Sequence, residues 1–109
     1  MALQPVSIFE SDATGSKETI TLHPVPPAAS TNVTIASAVY GNPSELVPIA
    51  PDRKSLSITV QQGTHPLVVT LVSPDPKDEI VQLSQGSTKL ANPVVRQHSG
   101  VSTIFIQGT

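Results

Sequence analysis

Apolar and polar residues alternate most clearly over residues 18–23, where Ile20 and Leu22 fall on one side and Thr19, Thr21 and His23 on the other. A repeat of two is the signature of a half-buried β-strand. The signal recurs over 55–61, with Leu56, Ile58 and Val60 inward and Ser57 and Thr59 outward, and over 32–40, where it places Val33, Ile35 and Val39 on one face. Residues 67–72 are continuously apolar, the pattern of a strand buried on both faces or lying at a sheet centre. Shorter candidates cover 46–49, 80–83, 94–95 and 101–106. No stretch holds a 3.6-residue period over the dozen residues a helix needs.

Proline and glycine punctuate these runs. Proline has no N–H for a central ladder, so Pro24, Pro26 and Pro27, then Pro43, Pro48, Pro51, Pro66, Pro74, Pro76 and Pro93, mark where strands stop. Gly41-Asn42-Pro43-Ser44 and Gln85-Gly86-Ser87 read as turns. Gln62-Gly63-Thr64-His65-Pro66 reads as the turn of a hairpin joining 55–61 to 67–72. The expectation is a single all-β domain, a β-sandwich or jelly-roll-like fold of seven or eight short antiparallel strands over 17–109, preceded by an extended N-terminal arm, 1–16. Leu56, Ile58, Val69 and Leu71 are expected in its core. An immunoglobulin domain fits less well, because its core tryptophan and paired cysteines are both missing.

Composition narrows the function. With 109 residues, three aromatics and no cysteine, the core must be Val, Ile and Leu without disulfide support, which makes self-association the expected source of extra stability. Charged residues are 13% and the net charge is −2. Six cations scattered among eight acids do not form the basic cluster that neutralises phosphates, so no nucleic-acid partner is expected. The start, Met-Ala-Leu-Gln-Pro, has neither a basic nor an apolar leader region, and no run approaches the roughly 18 apolar residues of a span, so no membrane partner is expected either. Met1 and a closing strand at Ile106 are expected to bound a complete chain.

Candidate chemistry is sparse. Thirteen serines and three histidines allow many chance nucleophile–base pairs, yet no G-x-S-x-G elbow occurs, and the expectation is a non-enzyme without cofactor or metal. His23 and His65 each precede a proline and read as surface turn residues, while His98 lies in a polar loop. Asp75, Asp78 and Glu79 form an acidic cluster whose spacing matches no calcium loop and which encloses Lys77. Asn32-Val33-Thr34 is a formal glycosylation sequon without a secretory signal. Arg53-Lys54 is the one paired basic site, to be read as a strand-entry pair bonding Asp52 or as a contact to an acidic partner surface. Ile8-Phe9 is an apolar pair on a polar arm, which should dock on its own domain or on a neighbour.

Residues 51–61 (PDRKSLSITVQ), then Val68-Val69-Thr70-Leu71 and Gln85-Gly86-Ser87, resemble a strand-and-turn pattern of small virion proteins of tailed bacteriophages. The likeness covers roughly 48–106 and departs from it at Gly63-Thr64-His65-Pro66, where such modules carry Asn-rich turns. The resemblance implies a capsid decoration, or cement, protein made in the host cytoplasm and carried on the capsid surface. Its implied partners are the major capsid protein and itself, as homodimer or homotrimer. Mechanism would be mass action, since a protein that binds only the assembled shell stabilises it. Partner contacts are expected at Ile8, Phe9, Pro26, Arg53, Lys54 and Pro74. The competing expectation is a tail-fibre or base-plate accessory, or a carbohydrate- or receptor-binding module, for which Tyr40 is the one aromatic available to stack on a sugar.

Overall fold

The computed structural model describes residues 14–108 and, as backbone alone, 8–10. The described strands, in chain order, are β1 (Ile8–Glu10), β2 (Lys17–Pro24), β3 (Thr34–Tyr40), β4 (Glu45–Leu46), β5 (Ser55–Thr59), β6 (Gly63–Val72), β7 (Glu79–Gln85), β8 (Thr88–Ala91), β9 (Val94–Val95) and β10 (Ser99–Gly108). Two sheets result. Sheet A runs β1-β10-β6-β3-β4 and sheet B runs β5-β2-β7-β8, with β9 pairing β7. The fold is an all-β sandwich with no helix among the described residues. All pairings are antiparallel except β1 on β10.

Aliphatic side chains on the inward positions of both sheets form the core. Ile20, Leu22, Leu56, Ile58, Val81 and Leu83 of sheet B meet Ile35, Leu67, Val69, Leu71, Ile104 and Ile106 of sheet A, all buried. The expected core residues Leu56, Ile58, Val69 and Leu71 are all among them. The apolar run 67–72 within β6 occupies the centre of sheet A, between β10 and β3, and is buried on one face only, with Leu67, Val69 and Leu71 inward and Val72 exposed.

Three expectations need correction. Strands β5 and β6 do not form a hairpin: β5 pairs with β2 in sheet B, Lys17 opposite Thr59, whereas β6 pairs with β10 and β3 in sheet A. Residues 60–62 carry the chain across the sandwich, fastened by the Gln61 N–H, which donates to the Tyr40 hydroxyl at 2.9 Å. Alternation reports the face a residue takes and says nothing of its partner strand. Val39 does not share a face with Val33 and Ile35. The register of β3 on β6 shifts between Ile35 and Ser37, so Ala38 and Tyr40 turn inward and Val39 faces out. One extra residue inverts every later position. The His–Pro pairs do not form turns: His65 and Pro66 both lie within β6, Pro66 opposite Phe105 rather than at a strand end, and His23 is half-buried in β2 opposite Gln82. The half-buried His65 ring stands roughly perpendicular to that of Tyr40 at 6.5 Å between centroids.

The candidate edge strand 46–49 resolves into β4, which ends at Leu46, and an isolated bridge between Ile49 and Leu56. At the other border, the hydrogen bonding of the sandwich begins just before residue 17. Gly15 N–H donates to the Val60 carbonyl at 2.7 Å, and Val60 N–H donates to the Ser16 carbonyl at 2.9 Å.

Candidate functional site

Antiparallel topology sorts the loops to two ends. The C-terminal ends of β2 and β6 and the N-terminal ends of β3, β5, β7 and β10 lie together, as shown by the facing pairs Pro24–Val81, Thr21–Ser55, Thr34–Val72 and Ser99–Val72. This end therefore gathers the loops that carry Pro26, Arg53, Lys54 and Pro74, four of the six expected contact residues. Pro26, which follows a cis peptide bond, and Pro74 are both exposed. Asn32 Nδ2 donates to Asp75 Oδ2 at 3.2 Å, tying the loop after β2 to the loop after β6.

Arg53 and Lys54 are engaged internally. Arg53 Nη1 donates to the carbonyls of Ile35 and Ala36, at 3.3 Å each, on the strand segment where the β3 register shifts. Lys54 Nζ donates to the carbonyls of Thr31, at 3.0 Å, and Val33, at 2.7 Å. Asp52 accepts the Lys54 backbone N–H at 3.0 Å rather than pairing with either cation's side chain. Arg53 adopts φ 58°, and its N–H closes a turn on the Ala50 carbonyl at 2.8 Å. The basic pair thus ties the segment leading into β5 to the chain entering β3. It is a brace, and Arg53 remains exposed as a residue while its Nη1 reaches in to the strand.

The acidic cluster does not converge. Asp75 accepts from Asn32, Asp78 pairs with Arg96 at 3.2 Å in the open, and Glu79 Oε1 is buried without a hydrogen-bond partner. No group of three metal-ligating side chains exists among the described residues. His98 Nδ1 lies 2.9 Å from the Ser73 carbonyl, a loop tie at the same end. That end collects Arg53, Lys54, Lys77 and Arg96 together with Asp52, Asp75, Asp78 and Glu79, four cations and four acids, so it is charged but balanced.

The backbone of Ile8–Glu10 runs parallel along the outer edge of β10, opposite Phe105, Ile106 and Gln107. Since Gln107 itself faces Thr64 at the start of β6, this segment sits toward the end opposite the proline loops. The side chains of Ile8 and Phe9 lie outside the described residues.

A groove of about 540 Å³ opens where β4 and β5 border the sandwich, lined by Lys17, Tyr40, Leu46, Pro48, Ser57 and Val60. Tyr40 itself is 5% exposed. Its hydroxyl accepts from the Gln61 N–H and its ring packs against the perpendicular ring of His65, and its burial leaves no broad face for a sugar to stack on.

The outer face of sheet A is the surface that sequence reading missed. Strands β3, β6 and β10 contain no Asp, Glu, Lys or Arg. Facing residues form uncharged rows across it: Leu46, Val39, Val68 and Thr103; Ser37, Thr70 and Val101; Thr34, Val72 and Ser99. Leu46 is 79%, Val101 63% and Val72 37% exposed. The signal was present in the chain as three charge-free segments, but their adjacency depends on strand order. The outer positions of sheet B are hydroxyl-rich and include Lys17 and His23.

Comparison of the chain with protein-family models, with curated proteins and with solved structures returns no match.

Proposed function

We propose that this chain is a non-catalytic structural protein of a tailed-phage virion, a capsid decoration protein that attaches to the assembled head and stabilises it. The observation that carries the reading is the layout of its contact elements. The proline-bounded loops stand at one end of a hydrogen-bonded sandwich, and the N-terminal segment lies along a sheet edge toward the other. A body with contact elements at both ends can sit on one capsid subunit while its arm reaches a neighbour. Proline-braced loops lose little conformational freedom on docking, which favours affinity from a small contact. The specific assignment to a phage head rests on the sequence resemblance.

The experiment is co-sedimentation of the purified chain with assembled heads that lack it, followed by heating or osmotic shock of loaded and bare heads. Saturable attachment and a higher rupture threshold are expected, because a ligand of the assembled shell stabilises that shell by mass action. Absence from the head pellet with retention on purified tails would replace this reading by the tail accessory. The carbohydrate-binding alternative draws no support from Tyr40, whose ring is buried.

A further inference from the structure

We propose that the outer face of sheet A is the surface through which two copies of this chain pack face to face about a two-fold axis. The inference deepens the assembly reading above and rests on it for its purpose.

Charge is the first argument. Across β3, β6 and β10 there is no Asp, Glu, Lys or Arg, and their titratable side chains are His65 and the inward-facing Tyr40, while both ends of the sandwich carry charges of both signs. A charged partner seated on this face would lose hydration without gaining a counter-charge, which disfavours it. The occupant must therefore be uncharged over the same extent. A second copy offers such a surface, and a two-fold contact brings the same patch to both sides.

The second argument is that the edges of this sheet are in part already occupied. β1 covers Phe105 to Gln107 on the outward side of β10 and β4 covers Val39 and Tyr40 on the outward side of β3, so a long edge-to-edge ladder is interrupted at both borders. The face is the broadest uninterrupted surface that sheet A offers for association. Sheets stacked in this way lie about 10 Å apart with strands within roughly 30° of alignment.

Area is the third. Two ten-residue strands, β10 and β6, and the seven-residue β3, at about 3.4 Å per residue and 4.8 Å between neighbours, give a face on the order of 440 Å² per subunit, or about 900 Å² for the pair. That lies just under the roughly 1,000 Å² of a stable specific interface, the size of a weak, transient contact, so a dimer with Kd high in the micromolar range is expected.

Sedimentation of the full chain over about 1–200 µM spans the affinities such an interface gives. A monomer–dimer equilibrium is expected for the wild type. Val101→Glu, placed on β10 in the middle row of the face at a position already 63% exposed, should raise the dimer Kd at least about tenfold while leaving the circular dichroism spectrum and melting transition unchanged. Thr70→Lys, directly opposite Val101 on the neighbouring strand, provides a second variant should the first fail to fold. Ile80→Glu, 48% exposed on sheet B, should leave the dimer intact. A wild-type monomer throughout, a trimer, or equal behaviour of the sheet A and sheet B variants overturns the proposal. The head-binding assay stays separate: a dimer that ignores heads defeats the capsid reading alone, and a monomer that binds them defeats this interface alone.

Discussion

The Lys54 ammonium donates a 2.7 Å hydrogen bond to the carbonyl oxygen of Val33, fastening the chain that enters β5 of sheet B to the chain that enters β3 of sheet A. Its backbone completes the tie, because the Lys54 carbonyl accepts the Leu22 N–H at 2.7 Å. One residue therefore holds three segments, at the end where the proline loops meet.

Removing that ammonium while keeping an aliphatic stem isolates the brace. Lys54→Met should lower unfolding free energy by about 1–3 kcal/mol, the range for hydrogen bonds to a charged group that leave buried carbonyls unpaired. Chemical denaturation with an unchanged m-value is the measurement. A loss under half a kilocalorie would mean that water replaces the ammonium at no cost.

Core deletions should differ by sheet position. Leu71 is fully buried in the central strand of sheet A and Ile58 is 3% exposed in β5, a border strand of sheet B. Both alanine variants should cost about 2–5 kcal/mol, with Leu71→Ala the larger, since a site enclosed on all sides collapses less around the cavity. The reverse order in equilibrium unfolding would place the tightest packing in sheet B.

The Arg96–Asp78 pair offers the opposite extreme. Its side chains are 70% and 53% exposed at 3.2 Å, so Arg96→Ala should change stability by less than about 1 kcal/mol at low salt and by less still at high salt. A loss above that figure that persists at high salt would show that the pair is shielded by its surroundings.

Strand positions were largely legible because a half-buried strand writes its two faces into the sequence: Ile20 and Leu22, then Leu56 and Ile58, are inward where alternation puts them. Pairing was not legible. Val60 to Gln62 looks like the approach to a hairpin and instead crosses between sheets, held by Tyr40, a residue twenty-one positions from its partner Gln61. Nor could Val39 be placed, since nothing in Ile35-Ala36-Ser37 announces the shifted register that Arg53 braces from seventeen and eighteen residues away. Likewise Arg53 and Lys54 were recognisable as a basic pair, but their carbonyl partners are long-range and invisible to spacing. Pro26 and Pro74 were readable as exposed loops, and only the topology puts them at one end.

Deleting residues 1–13 separates the arm from the sandwich more cleanly than a cut at 16, because Gly15 and Ser16 already bond Val60. The truncated chain should keep its all-β circular dichroism and a cooperative melt, since the described core lies within residues 20–106. What it loses is the strand on β10, so the outer edge opposite Phe105 to Gln107 becomes available for pairing and self-association should become less specific. Attachment to heads should weaken if the arm reaches a neighbouring subunit, read as lower occupancy and earlier rupture on heating. Equal occupancy with equal survival would remove the arm from attachment, and loss of cooperative folding would show instead that the arm completes its own subunit's core.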